Sequence, residues 1–316
     1  MRIAPYMALM PKINNNLNFK GASFCYRNPA VSYAAASYVD TFKKSSQADN
    51  EISFEIPLQL KEYTPAIDRI NSKIDKDKFL HLNETISDDI YSDIPLSTKT
   101  FAAENIVLAS VFKETLDEAF GKGKYKFVSI GTSPACIAKV LKLTGSDVVS
   151  LPMSFSKTSS AKKWLDNSPY LENYQRYMNE CSLSNESLEA EGKVAVVCDF
   201  ANSGRSLELA QYMLTGPLWL NKDNIRIVTM NDIIQNSDRI SNEWKEKYMK
   251  EYLYQEQMEQ YCDVPHFDFL DTRPGSLKMA ENYKDLKSYF EDYKAPHSNS
   301  FDFCVLKMLD DSGLIK

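Results

Sequence analysis

One stretch constrains the fold of this 316-residue chain more than any other: residues 193–207, which read K-V-A-V-V-C-D-F-A-N-S-G-R-S-L. Residues 194–197 are small and apolar, which is typical of a strand that is buried on both faces. Asp199 follows, then a small polar turn around Gly204, and apolar residues resume at helical spacing from Leu207. This order can hold a phosphorylated sugar. The turn and the helix N-terminus present N–H groups to an anion, while the acid can bind hydroxyls or a metal.

Strands and helices alternate through the middle of the chain. Apolar residues recur at helical spacing over residues 100–120, which predicts a helix that ends at Gly121. The segments that follow predict strands at 127–130, 148–151, 194–197 and 225–230, and helices at 133–143 and from Gly204 onward. Such alternation predicts an α/β fold with a parallel, helix-flanked sheet. Ligands of these sheets bind at the carboxyl ends of the strands.

Four parts are predicted along the chain. Residues 1–50 are rich in Asn, Ser and Ala and are interpreted as a mobile lead-in, followed by an N-terminal extension at 51–99. Residues 100–230 form the α/β core, and residues 231–316 form a C-terminal hood or cap of helices and loops. Within this last part we predict helices at 244–261 and 279–293, a loop or edge strand at 264–275 and a closing element at 301–309.

The composition narrows the classes of partner. A formal net charge of −6 argues against a general nucleic-acid or membrane-surface binder. No apolar run approaches the roughly 20 residues that a transmembrane helix needs. The six cysteines show no CxxC motif and no paired Cys/His spacing, which predicts free thiols and argues against a disulfide framework or a zinc site. We therefore expect a protein of the reducing cytoplasm.

A second polar turn follows the strand predicted at 127–130. It reads Gly131-Thr132-Ser133-Pro134-Ala135, so a glycine that permits close backbone approach precedes two hydroxyl side chains. Pro134 suits the first position of a helix, where its missing N–H would have no partner anyway. If both strands belong to one parallel sheet, this turn lies beside the turn around Gly204 and supplies a second anion site.

With both turns in place, residues 194–206 resemble the phosphoribosyl-pyrophosphate-binding signature of the type I phosphoribosyltransferases. That signature has four apolar residues, two acids and a Thr-Thr-Gly-x-Thr-like turn. Here Cys198-Asp199 stands in place of the acid pair, and the turn reads Asn202-Ser203-Gly204-Arg205-Ser206. A leading helix, a first strand that ends in a polar loop and a polar insertion before the signature strand also agree with the family. The resemblance covers about residues 100–230.

The resemblance implies a sheet of the phosphoribosyltransferase type, with N- and C-terminal extensions, and a role for each matching residue. Asp199, the catalytic residue, would hold the ribose hydroxyls directly or through Mg²⁺, which would arrive with the ligand. The phosphoribosyl group and its 5′-phosphate would contact Asp199, Ala201, Asn202, Ser203, Gly204, Arg205 and Ser206. The pyrophosphate would lie on Gly131, Thr132 and Ser133. The insertion at 154–190 would supply a lid, with Lys157, Lys162 or Lys163 closing over the pyrophosphate.

The implied activity is phosphoribosyl transfer between phosphoribosyl pyrophosphate, or a nucleoside monophosphate, and a base-like acceptor, with pyrophosphate as leaving group. The expected partners are a phosphorylated sugar or nucleotide and a second copy of the chain in a homodimer, without nucleic acid or membrane. Cys198 removes one of the family's two acids. A second interpretation therefore stays open: a module that binds a sugar phosphate or nucleotide on the same fold without turning it over.

A third interpretation is an α/β serine hydrolase, since the turn after the first strand approximates the G-x-S-x-G nucleophile elbow. The nucleophile would be Ser133. Its partners would lie downstream: His266 or His297, and Asp268 or Asp271. The residue after such a nucleophile normally donates its N–H to the oxyanion hole. Pro134 has no N–H, which counts against this interpretation.

Overall fold

The computed structural model describes residues 88–154, 166, 168, 170–201, 204–240, 242, 245–246, 259–265 and 286–311. All of them fall within one compact unit of the chain. The helices are α1 (Asp88–Asp93), α2 (Leu96–Phe120), α3 (Ala135–Leu143), α4 (Leu171–Glu180), α5 (Asn185–Glu191), α6 (Arg205–Thr215), α7 (Met230–Asn236), α8 (Leu286–Asp292) and α9 (Ser298–Asp311). The strands are β1 (Tyr125–Ile130), β2 (Val148–Leu151), β3 (Val194–Asp199) and β4 (Ile225–Thr229).

These strands form one parallel sheet in the order β2-β1-β3-β4, so the predicted α/β class and helix-flanked parallel sheet are confirmed. The side chains of β3 alternate between two cores. Val196 and Cys198 face the first core, while Ala195 and Val197 face the second, and all four are fully buried. This burial on both faces explains why residues 194–197 form a continuous apolar run.

The first core lies between the sheet and helices α2, α3, α7 and α9. Phe112 of α2 packs edge-on against Phe127 of β1, with ring centroids 6.3 Å apart. Helix α9 adds Phe301 and Phe303, both fully buried. The described end of the predicted C-terminal hood therefore shares its core with the α/β part. The division of the chain into four parts stays a prediction.

The second core lies between the opposite face of the sheet and helices α4, α5, α6 and α8. Tyr174 of α4 is fully buried, and Tyr177 lies edge-on to Phe290 of α8, with ring centroids 4.9 Å apart. Much of the predicted polar insertion at 154–190 is therefore packed helix, because its aromatic side chains bury large apolar areas. The predicted lid lysines lie outside the described residues: Lys157, Lys162 and Lys163.

A disulfide joins Cys136, in the first turn of α3, to Cys262, 126 residues further along the chain. The prediction that the cysteines are all free thiols is therefore wrong. The fold brings the two Cα atoms to 5.7 Å, a separation that a disulfide can span. Sequence spacing cannot indicate such a pairing across more than a hundred residues. The free cysteines among the described residues are Cys181, Cys198 and Cys304.

Lys139 also anchors this region of α3, through ion pairs and a hydrogen bond. Its ammonium group lies 2.9 Å from Asp302 of α9 and 3.5 Å from Asp263, and it donates a hydrogen bond of 2.7 Å to the Ser298 hydroxyl. Asp302 is almost fully buried, so this ion pair compensates a charge that would otherwise be costly. Helix α3 is therefore joined to the segment 259–265 and to α9 by a covalent bond and an ion-pair network.

The other C-terminal predictions are tested in part. The closing element at 301–309 is confirmed as part of α9, and the helix at 279–293 is confirmed over Leu286–Asp292. Most of 244–261 and 264–275, and all of 1–87, lie outside the described residues. No helix in the described part of the chain has the length and apolarity of a membrane-spanning segment.

Candidate functional site

The order of the strands predicts a crevice at the carboxyl ends of β1 and β3. From β1 the chain crosses to β2 on one side, and the next strand, β3, lies on the other side of β1. Ligands of open parallel sheets bind at such a reversal, outside the carboxyl ends of the strands. Ser129 pairs with Cys198, so β1 and β3 end side by side at Ile130 and Asp199. Both predicted turns therefore leave the sheet at the same place.

The two turns meet at the carboxyl group of Asp199. Its Oδ1 accepts a hydrogen bond of 2.7 Å from the Phe200 N–H, and the carboxylate also accepts one from the Ser133 hydroxyl. The residue is only 8% exposed. Burial raises the pKa of Asp199 to about 7, and the two hydrogen bonds oppose part of that rise. The carboxyl group therefore changes its charge near neutral pH, as groups at functional sites often do.

Cys198 stands where the signature that residues 194–206 resemble has its first acid, and its side chain lies in the first core. Successive side chains of a strand point to opposite faces, so Cys198 and Asp199 diverge. The thiol is fully buried, and burial raises its pKa well above the usual value. The interpretation of Cys198 as a buried strand-end residue is confirmed. Where the family has two acids, this strand end presents one.

The turn after β1 is built around a left-handed glycine. Gly131 has a φ of +64°, and its N–H donates to the Leu151 carbonyl of β2 at 3.0 Å. Thr132 is buried. Pro134 is the residue that precedes α3, so the helix begins two residues later than the predicted start at 133, and no described side chain caps it. The start of α3 therefore lies at this strand end without a side-chain cap, and of its N–H groups that of Ala135 donates to the Thr132 carbonyl at 3.1 Å.

Gly131→Ala is expected to lower the free energy of unfolding by about 2 kcal/mol, because left-handed strain adds to a close backbone contact. A Cβ at this position would lie 3.0 Å from the Met153 carbonyl oxygen. Gly123→Ala is a matched control: its φ is +73°, but a Cβ there meets nothing within 4 Å. We expect this control to lose only roughly 1 kcal/mol. Urea unfolding measures both variants. Equal losses of the free energy of unfolding would contradict the close approach of Gly131 to the Met153 carbonyl oxygen.

The turn after β3 is described at its two ends. Gly204 has a φ of +74° and precedes α6, again without a described side-chain cap. Ser206, in the first turn of α6, is exposed. At the other end, the Ala201 N–H donates to the side-chain oxygen of Asn231 at 2.9 Å, so this N–H is already occupied. The remaining predicted contacts lie outside the described part: Asn202, Ser203 and the Arg205 side chain.

Asn231 is a residue that the sequence did not identify. It is the second residue of α7, directly after β4, and β4 pairs with β3 as far as Asp199 and Thr229. The carboxyl end of β4 therefore lies next to the crevice. A polar residue after a third strand is the same signal that marked Asp199 and Ser133. The strand order that makes β4 a neighbour of β3 is not visible in the sequence.

The described residues add no support for a serine hydrolase. The Ser133 hydroxyl bonds to Asp199. His297 lies just before α9, where its ring centroid is 6.1 Å from that of Tyr261. The other predicted partners lie outside the described residues: His266, Asp268 and Asp271.

Comparison with known proteins identifies no relative. Searches against protein-family models, curated proteins and solved structures find no match for this chain. The likeness to the type I phosphoribosyltransferases therefore rests on residues 194–206 and on the elements around them. What the crevice does is inferred below from its geometry and chemistry.

Proposed function

We propose that the protein is phosphoribosyltransferase-like. It binds phosphoribosyl pyrophosphate or a nucleoside monophosphate in the crevice between β1 and β3, and it transfers the phosphoribosyl group to or from a base-like acceptor with pyrophosphate as leaving group. One observation carries the proposal: the Ser133 hydroxyl, after β1, hydrogen-bonds the Asp199 carboxylate at the end of β3. Two turns suited to anions thus converge on one acid at the strand reversal. A sugar with a phosphate group on either side needs such a site.

Each part of the ligand has a matching part of the crevice. The pyrophosphate would lie on the turn from Gly131 to Ser133 and at the start of α3, and the 5′-phosphate at the start of α6 after Gly204. Asp199, between the turns, would hold the ribose hydroxyls. Displacement at the sugar centre passes through an oxocarbenium-like state. The protein would act mainly by positioning the reactants and by stabilising charge, with ionised Asp199 facing the positive sugar.

Magnesium fits this site as an ion carried by the ligand. Among the described residues there is no group of three or more His, Cys, Asp or Glu side chains that could bind a metal. Mg²⁺ keeps several waters and binds through one or two carboxylates together with ligand phosphates. Asp199 supplies one such carboxylate at the crevice. The ion would neutralise charge on the departing pyrophosphate.

A second candidate function is ligand binding without turnover, and the position of Cys198 favours it. Because the thiol lies in the first core, Asp199 is the one acid of the signature position that faces the crevice. A site with fewer acids stabilises the positive charge of the oxocarbenium-like state less well. The phosphate-binding parts of the crevice do not depend on that second acid.

Binding is tested first, by thermal unfolding with phosphoribosyl pyrophosphate and Mg²⁺, ribose 5-phosphate and a nucleoside monophosphate. At a concentration 100 times its Kd, a ligand that binds only the folded protein adds about 2.7 kcal/mol of stability, which raises Tm by several degrees. Glucose 1-phosphate, which lacks a 5′-phosphate, is the control ligand. No shift with any of the three phosphoribosyl ligands would contradict the proposal.

Catalysis is tested separately, by pyrophosphate release from phosphoribosyl pyrophosphate with a panel of purine and pyrimidine bases. Release with one base would establish a transferase. Binding without release for every base would favour the second candidate function and reject the first.

A further inference from the structure

The backbone of the turn after β3 is tied to the next strand of the sheet. The Ala201 N–H donates to the Asn231 side-chain oxygen at 2.9 Å. Ala201 is the second residue after β3, and Gly204, which precedes α6, is three residues further on. The hydrogen bond therefore acts at the point where the chain enters the turn that would hold the 5′-phosphate.

Asn231 is itself held in place from two directions. It lies two residues after Thr229, the last residue of β4, which pairs with Asp199 of β3. The Thr229 hydroxyl accepts the Asp232 N–H at 3.0 Å and so caps α7. On either side of Asn231, α7 buries Met230 and Ile233 in the first core. The acceptor oxygen therefore belongs to a packed helix end and not to a mobile loop.

We propose that Asn231 is a positioning residue for the 5′-phosphate turn. This inference rests on the proposed function. The Asn231 oxygen occupies the Ala201 N–H and so fixes the chain where it leaves β3, three residues before Gly204 and the start of α6. Ala201 therefore contributes no N–H to the phosphate, in contrast to its predicted role as a contact residue. The phosphate is held at the start of α6, and the position of that helix start relative to β3 depends on Asn231.

We expect loss of the Asn231 side chain to weaken binding of the ribose 5-phosphate half of the ligand only. Asn231 acts on the turn after β3, whereas the pyrophosphate would lie on the turn after β1, which is anchored by its own hydrogen bond from Gly131 to Leu151. Misplacement of a positioned group by about 1 Å can lower the rate of a catalysed reaction on the order of 100-fold. Loss of the hydrogen bond from Ala201 to Asn231 should cause a smaller loss, and we expect it in the affinity for ribose 5-phosphate. We expect Asn231→Ala to weaken ribose 5-phosphate binding about 10-fold and to leave pyrophosphate binding unchanged.

Asn224→Ala is a matched control at the opposite end of the same strand. The Asn224 amide also donates to other residues, to Asn185 Oδ1 at 3.3 Å and to Glu189 Oε1 at 3.2 Å, but it precedes β4, at the end away from the crevice. Its loss should leave both affinities unchanged. Titration calorimetry with ribose 5-phosphate and with pyrophosphate, on the full-length wild type and both variants, measures all six affinities.

Hydrogen exchange at the Ala201 amide tests the contact without any ligand. Asn231→Asp keeps an acceptor oxygen and should keep this amide protected, whereas Asn231→Ala should speed its exchange at least 10-fold. Equal exchange in the wild type and in Asn231→Ala would overturn the inference.

The ligand measurements separate the inference from the function on which it rests. If the wild type binds ribose 5-phosphate and Asn231→Ala binds it equally well, the positioning role is wrong and the proposed function stands. Equal losses for ribose 5-phosphate and pyrophosphate would indicate general loosening and would also reject the role. If the wild type binds neither compound, the proposed function fails and the positioning role fails with it.

Discussion

Asp199→Asn is expected to raise the free energy of unfolding by about 4 kcal/mol at pH 8, although it removes the central acid of the candidate site. Burial raises the pKa of this carboxyl from 3.8 to about 7 in the folded protein. At pH 8 the wild type therefore holds a buried negative charge that its unfolded chain keeps in water. The asparagine is neutral, and its oxygen can still accept the Phe200 N–H.

The sign of the pH dependence follows from the two pKa values. Below pH 3.8 the Asp199 carboxyl is protonated in both the folded and the unfolded protein, so the variant and the wild type should be equally stable. Between 3.8 and 7 only the unfolded chain loses its proton, and the stability of the wild type falls as the pH rises. Above pH 7 the difference in stability between the variant and the wild type reaches its full size. Urea unfolding at several pH values measures it, and a difference that does not change with pH would contradict the buried charge.

The same variant should lose most of its affinity for ribose 5-phosphate, because an amide holds ribose hydroxyls and bound Mg²⁺ less strongly than a carboxylate does. Asp223→Asn, an exposed aspartate in the turn before β4, is the control and should change neither property. A gain in stability together with a loss of binding is typical of a residue retained for function. Unchanged binding by Asp199→Asn would mean that the family resemblance is wrong.

Loss of the Cys136–Cys262 disulfide is expected to lower the free energy of unfolding by about 4 kcal/mol, because the cross-link restricts a long loop of the unfolded chain. The two cysteines are separated by 126 residues. The double variant Cys136→Ser with Cys262→Ser, measured by urea unfolding beside the oxidised wild type, tests this magnitude. Cys181→Ser, at a half-buried free thiol, is the control and should change stability by less than about 1 kcal/mol.

The bond itself can be tested independently of stability. When the unreduced protein is unfolded and alkylated, Cys181, Cys198 and Cys304 are expected to react, and peptide mapping should find Cys136 joined to Cys262. Reaction of all six would show that the bond is absent. In the double variant the Lys139 ion pairs with Asp302 and Asp263 remain, so α3 should stay attached to α9.

Local patterns were sufficient for the secondary structure around the site. The four strands and the helices α2, α3 and α6 follow from runs of apolar residues and from helical spacing, and these report contacts that each segment makes with its own neighbours. The turn at Gly131 and the acid at Asp199 were found in the same way, since each directly follows a strand. The start of α3 differed from the predicted start at 133 by two residues, because Pro134 precedes the helix instead of lying inside it.

Other features depend on pairs of residues that lie far apart in the chain. The disulfide needs α3 beside the segment 259–265, and the bond from Ala201 to Asn231 needs β4 beside β3. The packed tyrosines of α4 lie in a segment whose polar composition indicated a solvated insertion. Spacing within a window of 10 to 20 residues carries no information about such pairs, because chain connectivity allows several strand orders for the same elements.

By itself, the sequence determined that a parallel α/β sheet forms and that an acid and two polar turns lie at strand ends. It did so because apolar periodicity and turn residues act over one or two turns of chain. The fold adds three features that the sequence does not show: Ser133 meets Asp199, Cys198 points into the core, and Asn231 accepts the Ala201 N–H. These features depend on burial. The packing of helices against both faces of the sheet determines which side of β3 a residue faces and which charge is desolvated.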